Sequence, residues 1–284
     1  MSYMVLAYRD PRLLSQLTDW LSRGSSSIVV HVDQDVDQKP FTDLANPKAK
    51  FVATRFSCPW GTWGRVAASL EMLREAVDSG STHIALLSED TFPLHDPESI
   101  PSLLEKNWGG VWMDGERMGS HHKPITRLSQ IRYFRGDPRK QSIVKKVLHG
   151  LPLAYKNVDY RRHLGDAIPW AGDSWWILTN TTARKVLDYA NSNPDVVKFF
   201  SKSWIPDEHF FQTAVALVDP GVEFRGTPIL ADWSSRKSQF PPYFFDTSSI
   251  EELRKGKANF LFARKLEKVE QKMTEEIYKI WEND

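Results

Sequence analysis

Residues 28 to 37 read IVVHVDQDVD, a β-prone run that leads into three aspartates, Asp33, Asp35 and Asp37, spaced two apart. A short run rich in β-branched residues that ends in polar ones predicts a strand feeding a loop. Upstream, YMVLA at 3–7 predicts another strand, followed by a helix that Asp10 caps, Pro11 opens and Gly24 stops, with Leu13, Leu14, Leu17 and Leu21 on one face. Downstream come a short strand at 50–54 and a helix from Gly64 to Ser79, whose Val66, Leu70, Leu73 and Val77 form a core stripe. THIALLS at 82–88 is a further strand, leading to a helix that carries Leu103 and Leu104. Strands alternating with helices predict an α/β fold with a mostly parallel central sheet flanked by helices. In such sheets ligands gather beyond the carboxyl ends of the strands. Asp33 and the segment Ser88-Glu89-Asp90 stand at such ends.

From 114 to about 166 the pattern changes to a basic, polar insert. Its Arg127, Arg132, Arg135, Arg139, Lys140, Lys145 and Lys146 either contact an anionic acceptor or form a solvated face. His121-His122 lacks a matching Cys/His set nearby and reads as a solvent-facing pair. Regular structure returns with DSWWILT as a strand, TTARKVLDYANS as a helix, PDEHFFQTAVALV as a second helix, and FARKLEKVEQKMTEEIYKIWEND as an amphipathic helix. The whole of 1–284 reads as a single domain without an evident linker.

Composition bounds the function. With 41% hydrophobic residues in 284, the chain can bury a substantial core. Lys and Arg number 37 against 36 Asp and Glu, so no global charge favours a nucleic-acid partner. The single cysteine, Cys58, has no intramolecular partner, and neither a basic-then-apolar leader nor an apolar run of roughly 18 residues is evident. These features lead us to expect a cytoplasmic location. GxxxxGK[ST], GxSxG, HExxH and a GxGxxG after the first strand are all missing, so nucleotide binding would need another geometry.

Two stretches concentrate chemistry. In WIPDEHFFQT, 204–213, Pro206 begins a predicted helix with Asp207, Glu208 and His209 in its opening turn, which suits either capping or a general base. In WAGDSWWILT, 170–179, Trp170, Trp175 and Trp176 surround a Gly-Asp-Ser turn and offer rings suited to stacking on sugars. Trp175 and Trp176 alternate across a strand, so at most one of them faces a given pocket.

Taken in order, MVLAYRDPRLLSQLTDWL, IVVHVD, WGTWGRVAASLEMLREA, HIALLSEDTFPL, AGDSWWILT, PDEHFFQT and FLFARKL resemble family 14 glycosyltransferases, the core 2/I-branching N-acetylglucosaminyltransferase and peptide xylosyltransferase group. The resemblance implies a GT-A-type, Rossmann-like fold and an inverting transferase. It also implies a UDP-sugar donor carrying N-acetylglucosamine or xylose, a glycan or lipid-linked glycan acceptor, and no metal or other cofactor. On this basis Glu208 is the catalytic base, Asp33 lies at the uridine end, and Lys265 neutralises the diphosphate with help from Arg236 and Lys237. Asp173, Ser174, Trp175 and Trp176 lie near the acceptor sugar. Residues 1–113 become the nucleotide-binding half, 114–166 the insert, and 167–284 the acceptor and catalytic half with its C-terminal helix.

Where many members read Ser-Gly-x-Asp-Tyr-Pro, this chain has Ser88-Glu89-Asp90-Thr91-Phe92-Pro93, which shifts the acidic residue by one position. Animal members carry a membrane anchor and several cysteines that this chain lacks, so a soluble bacterial-type enzyme is expected, working in the cytoplasm on a lipid-linked or envelope glycan, with the inner face of the membrane as an alternative location. The terminal helix offers a peripheral membrane contact as an alternative to packing on the domain. Two other readings stand beside this one. In a metal-dependent transferase of another family, Glu89 and Asp90, or Asp33, Asp35 and Asp37, would hold Mn²⁺ or Mg²⁺. A carbohydrate-binding protein would keep the fold without turnover.

Overall fold

The computed structural model describes residues 1–24, 26–107, 110–132, 155–234 and 242–282. Its principal strands follow the chain as β1 (Ser2–Ala7), β2 (Ser27–Val32), β3 (Ala49–Phe51), β4 (His83–Ser88), β5 (Thr91–Pro93), β6 (Trp112–Met113), β7 (Trp176–Thr179), β8 (Ile229–Ala231) and β9 (Phe262–Arg264). The main sheet has the order β3-β2-β1-β4-β7-β6. β1 pairs in parallel with β2 and β4, and β2 with β3, whereas β7 runs antiparallel to both β4 and β6. The expected mostly parallel sheet is present, with one reversed strand that comes from the C-terminal part of the chain. The chain winds outward from β1 to β3 and then returns to β4, so the order reverses between β1 and β4. Such a switch point opens a crevice at the carboxyl ends of the strands.

Every residue of β1 and β4 is buried, as a sheet covered on both faces requires. Helix α1 (Pro11–Leu21) starts where the Asp10 carboxylate accepts the Arg12 N–H at 2.9 Å, and it buries Leu13, Leu14, Leu17 and Leu21. Helix α2 (Gly64–Val77) buries its predicted stripe of Val66, Leu70, Leu73 and Val77. Each such side chain contributes roughly 1.5–3 kcal/mol by leaving water. A Cβ on Gly64 would lie 1.9 Å from the Ser57 carbonyl oxygen, so only glycine lets the preceding loop pass over the start of α2. Helices α3 (Asn180–Ser192) and α4 (Phe210–Val218) pack against each other.

A second sheet, ordered β8-β9-β5, corrects the reading of the C-terminus. FARK does not begin a helix, because Phe262–Arg264 finds backbone partners in β8 on one side and β5 on the other. The terminal helix α5 starts only at Gln271 and ends at Trp281. Its apolar face, Met273, Ile277, Ile280 and Trp281, is buried, and the Trp281 indole N–H donates to the Pro93 carbonyl at 3.0 Å. The face proposed for a membrane contact is therefore taken by the domain. Among the described residues no helix is long and apolar enough to cross a membrane.

Candidate active site

PDE does not open α4 as the sequence suggests. Pro206–Glu208 forms a separate 3-10 turn, and the helix begins at Phe210 after His209 adopts φ −149°. The cause lies one residue upstream: Ile205 sits in the left-handed region at φ 56°, costly for a β-branched residue, and reverses the chain. Its side chain is buried and its N–H donates to the Gly61 carbonyl at 3.2 Å. His209 is fully buried, its ring nitrogen facing the Ser203 hydroxyl and the Trp204 carbonyl; burial pushes it down to about 3, so it is neutral. Helix-dipole stabilisation of the acids therefore gives way to direct partners.

Asp207 points inward, where its Oδ2 accepts from Arg65 Nη1 at 2.9 Å and from the Ser174 hydroxyl at 3.0 Å, while Oδ1 is buried with no partner among the described residues. Glu208 points the other way. Its Oε2 accepts from Lys123 Nζ at 3.0 Å and from Arg127 Nη1 at 2.6 Å. Burial alone would push this carboxyl up, but the two cations outweigh it and hold the group below the ordinary carboxylate range. Glu208 is thus a largely buried carboxylate kept charged.

The Gly-Asp-Ser turn lies against this one. Gly172 N–H donates to the Glu208 carbonyl at 2.8 Å, and Lys123 Nζ reaches the Gly172 carbonyl at 2.7 Å. A Cβ on Gly172 would approach the Asp114 carbonyl oxygen to 1.8 Å, so the packing of the two backbones requires glycine. Asp173 is half-buried, and its carboxyl is pushed up by burial against the pull of the Ser174 N–H and Arg264. Trp175 carries the Arg264 guanidinium over its ring at 4.6 Å. Trp176 is wholly buried against Phe211, with ring centroids 5.1 Å apart, so it is a core residue and not an acceptor platform. Of the four residues expected near the acceptor, Asp173 keeps partial exposure, whereas Ser174 and Trp175 are buried beside Asp207 and Arg264.

A second cluster fills the crevice between β1 and β4. Glu89 Oε1 accepts the N–H groups of Tyr8 and Arg9 at 3.2 and 2.7 Å, and Oε2 is buried without a partner among the described residues. Burial first, and then the neighbouring Asp90 charge, push Glu89 up to about 7. Asp90 is held low despite burial by Arg264, 3.3 Å away, and by the Ser88 hydroxyl. Lys265 follows Arg264; its ammonium and the Arg9 guanidinium lie 5.9 and 5.2 Å from the centre of the Phe244 ring. Arg9 Nη2 donates to the Leu266 carbonyl at 2.6 Å and so ties the β1 end to the Lys265 segment. Tyr8 is half exposed beside these charges.

Asp33 ends β2 as expected, half-buried, its carboxylate accepting the N–H of Asp35 at 2.9 Å and of Cys58 at 3.2 Å. Asp35 takes the Ser57 hydroxyl and Asp37 the Lys39 N–H. The three aspartates are therefore turn-forming acceptors that point to different partners. Among the described residues no group of three His, Cys, Asp or Glu is gathered to hold a metal ion, and His121 and His122 are exposed. Arg236 and Lys237 lie outside the described residues, as do Arg135, Arg139, Lys140, Lys145 and Lys146.

Arg65, Arg264, Arg9 and Lys123 were not among the residues expected at the site, and Arg127 appeared only as one of several insert cations. The only sequence signal for Arg65 is a charge placed among tryptophans in WGTWGR, on a helix whose other face is core. A family model described as Branch, Core-2/I-Branching enzyme, matches residues 1–257, which includes Glu208 and stops short of Lys265. No curated protein matches the chain. Among solved structures it is similar to a mannose-1-phosphate geranyltransferase from Thermus thermophilus, at 13% identity over 71% of this chain and 68% of that one, with a TM-score of 0.33. It is also similar to a 4-diphosphocytidyl-2C-methyl-D-erythritol synthase, at 10% identity over 76% and 96%, with a TM-score of 0.32. At such scores these likenesses bear on nothing in the site.

Proposed function

The chain belongs to the Core-2/I-branching enzyme family of glycosyltransferases, with a GT-A-like Rossmann fold, and from that premise we propose an inverting transfer of N-acetylglucosamine or xylose from a UDP-sugar to a glycan hydroxyl. Glu208 is the general base of this reading. The observation that carries it is a carboxylate kept charged inside a largely buried turn and set against the Gly-Asp-Ser turn. Burial of an anion is costly and is retained where the charge has a task.

The chemistry follows from the bonds exchanged. As the acceptor oxygen bonds to the anomeric carbon, the bond to the diphosphate breaks and its electron pair leaves with UDP. The acceptor proton passes to Glu208. Charge that grows on the diphosphate is stabilised by fixed cations, and we assign that task to Lys265, which follows the Asp90-bound Arg264 in the chain. Asp33 at the end of β2 takes the uridine end, and Asp173 borders the acceptor, with the buried Trp175 ring backing Arg264 behind it. The donor's charge is met by side chains, so turnover needs no metal.

Glu208→Gln tests the reading. With UDP-N-acetylglucosamine and UDP-xylose as donors, UDP release should fall by a factor on the order of 10² to 10⁴, while UDP affinity stays nearly unchanged. Turnover near that of the unmodified protein would remove Glu208 from the base role.

A further inference from the structure

Two cations meet on one oxygen of Glu208. Lys123 and Arg127 both bind Oε2, and both are more deeply buried than the acid, with side-chain exposures of 17% and 12% against 26%. Neither is held by the carboxylate alone. Lys123 Nζ also donates to the Gly172 carbonyl at 2.7 Å. The Arg127 backbone carbonyl accepts the Trp204 N–H at 3.2 Å, and its Nη2 reaches the His122 carbonyl at 3.3 Å. The pair is therefore a preformed socket into which the carboxylate fits.

The other charged and titratable groups facing Glu208 do not cancel this excess. Asp207 is turned away to Arg65 and Ser174. His209 is buried and neutral. Asp173, which repels Glu208, is itself opposed by Arg264 as well as by Lys123. One negative charge thus faces two positive ones.

We propose that Lys123 and Arg127 are positioning residues for the base: together on Oε2 they fix the carboxylate plane and reserve Oε1 for the acceptor hydroxyl. The inference rests on the reading of Glu208 as base. Its consequence concerns timing. A carboxylate so stabilised does not deprotonate a free hydroxyl or a water molecule. It accepts the proton once the bond between acceptor oxygen and anomeric carbon has largely formed, when that oxygen has become strongly acidic. The proton goes to Oε1, and the electron pair of the broken bond leaves on UDP.

The test uses the full chain with ¹³C-carboxyl-labelled glutamate, in the unmodified protein and in Lys123→Met, Arg127→Met and Glu208→Gln. The resonance lost in Glu208→Gln identifies Glu208. In the unmodified protein it should titrate below the ordinary 4.5, and in each cation variant the midpoint should rise by about one pH unit or more. The acid limb of the UDP-release rate with UDP-N-acetylglucosamine should move up by the same amount, read over the pH range in which circular dichroism shows each variant folded, a readout that a purely structural role leaves in place. Unchanged midpoints and limbs in both cation variants overturn the socket. Full turnover by Glu208→Gln instead overturns the base reading, whatever the titration shows.

Discussion

Replacing Arg65 with methionine removes one partner of a buried ion pair while keeping an unbranched apolar stem. The Arg65 and Asp207 side chains are 29% and 10% exposed, and Asp207 Oδ2 would retain only the Ser174 hydroxyl. Breaking a buried pair typically costs 3–5 kcal/mol, because the abandoned charge remains in a poor solvent. Water reaches Arg65 in part, which places the expected loss lower, at about 2–3 kcal/mol. For a domain of this size that corresponds to a fall in Tm of about 4–8 °C. Asp207→Asn in the Arg65→Met background should recover a substantial part of the loss, since it removes the stranded charge and keeps an acceptor for Ser174. The assay is a thermal melt of both variants followed by circular dichroism, with urea midpoints as a second measure. A fall of less than about 2 °C in the single variant, or no recovery in the double one, would refute the view that Arg65 is there to neutralise Asp207.

Gly172→Ala should destabilise the fold by about 3 kcal/mol or more, because its Cβ would lie 1.8 Å from the Asp114 carbonyl oxygen; an unchanged urea midpoint would count against that close approach. Glu89 holds its proton more tightly folded than unfolded, so its contribution to stability is full below about 4.5 and is lost as pH rises through about 7. Glu89→Gln should flatten the dependence of Tm on pH across that window, and parallel curves for the two proteins would overturn the assignment. Lys265→Ala should weaken UDP binding by calorimetry without abolishing the fold, and unchanged affinity would deny Lys265 a phosphate role. Donor turnover should persist in EDTA; its loss, with recovery on adding Mn²⁺ or Mg²⁺, would favour the metal-dependent alternative.

What the sequence reveals depends on how far apart the interacting residues are. Val66, Leu70, Leu73 and Val77 are legible because their helical spacing is itself the burial pattern. Asp33 at a strand end follows from the same local logic. The PDE turn is not legible: proline followed by acids looks like a helix start, and the left-handed Ile205 that prevents it has no marker in a β-branched residue. FARK is misread for another reason, since its strand character comes from β5 and β8, both distant in sequence. Trp175 and Trp176 illustrate a third limit, because alternation separates their faces but does not say that both faces are covered. Lys123 and Arg127 lie 85 and 81 residues before the acid they bind, so no spacing rule joins them.

Those separations also order events during synthesis. β1 to β4 can pair as soon as the first third of the chain has emerged, but Asp90 meets Arg264 across 174 residues and Arg9 meets the Leu266 carbonyl across 257. Closure of such long loops comes late, after the contacts that fix both ends. A ribosome-bound chain therefore presents a nucleotide-sugar with half a crevice, before the residue proposed as base has docked. The ability to break the donor bond appears only as the last strands dock, which makes transfer activity a sensitive report on completion of the fold.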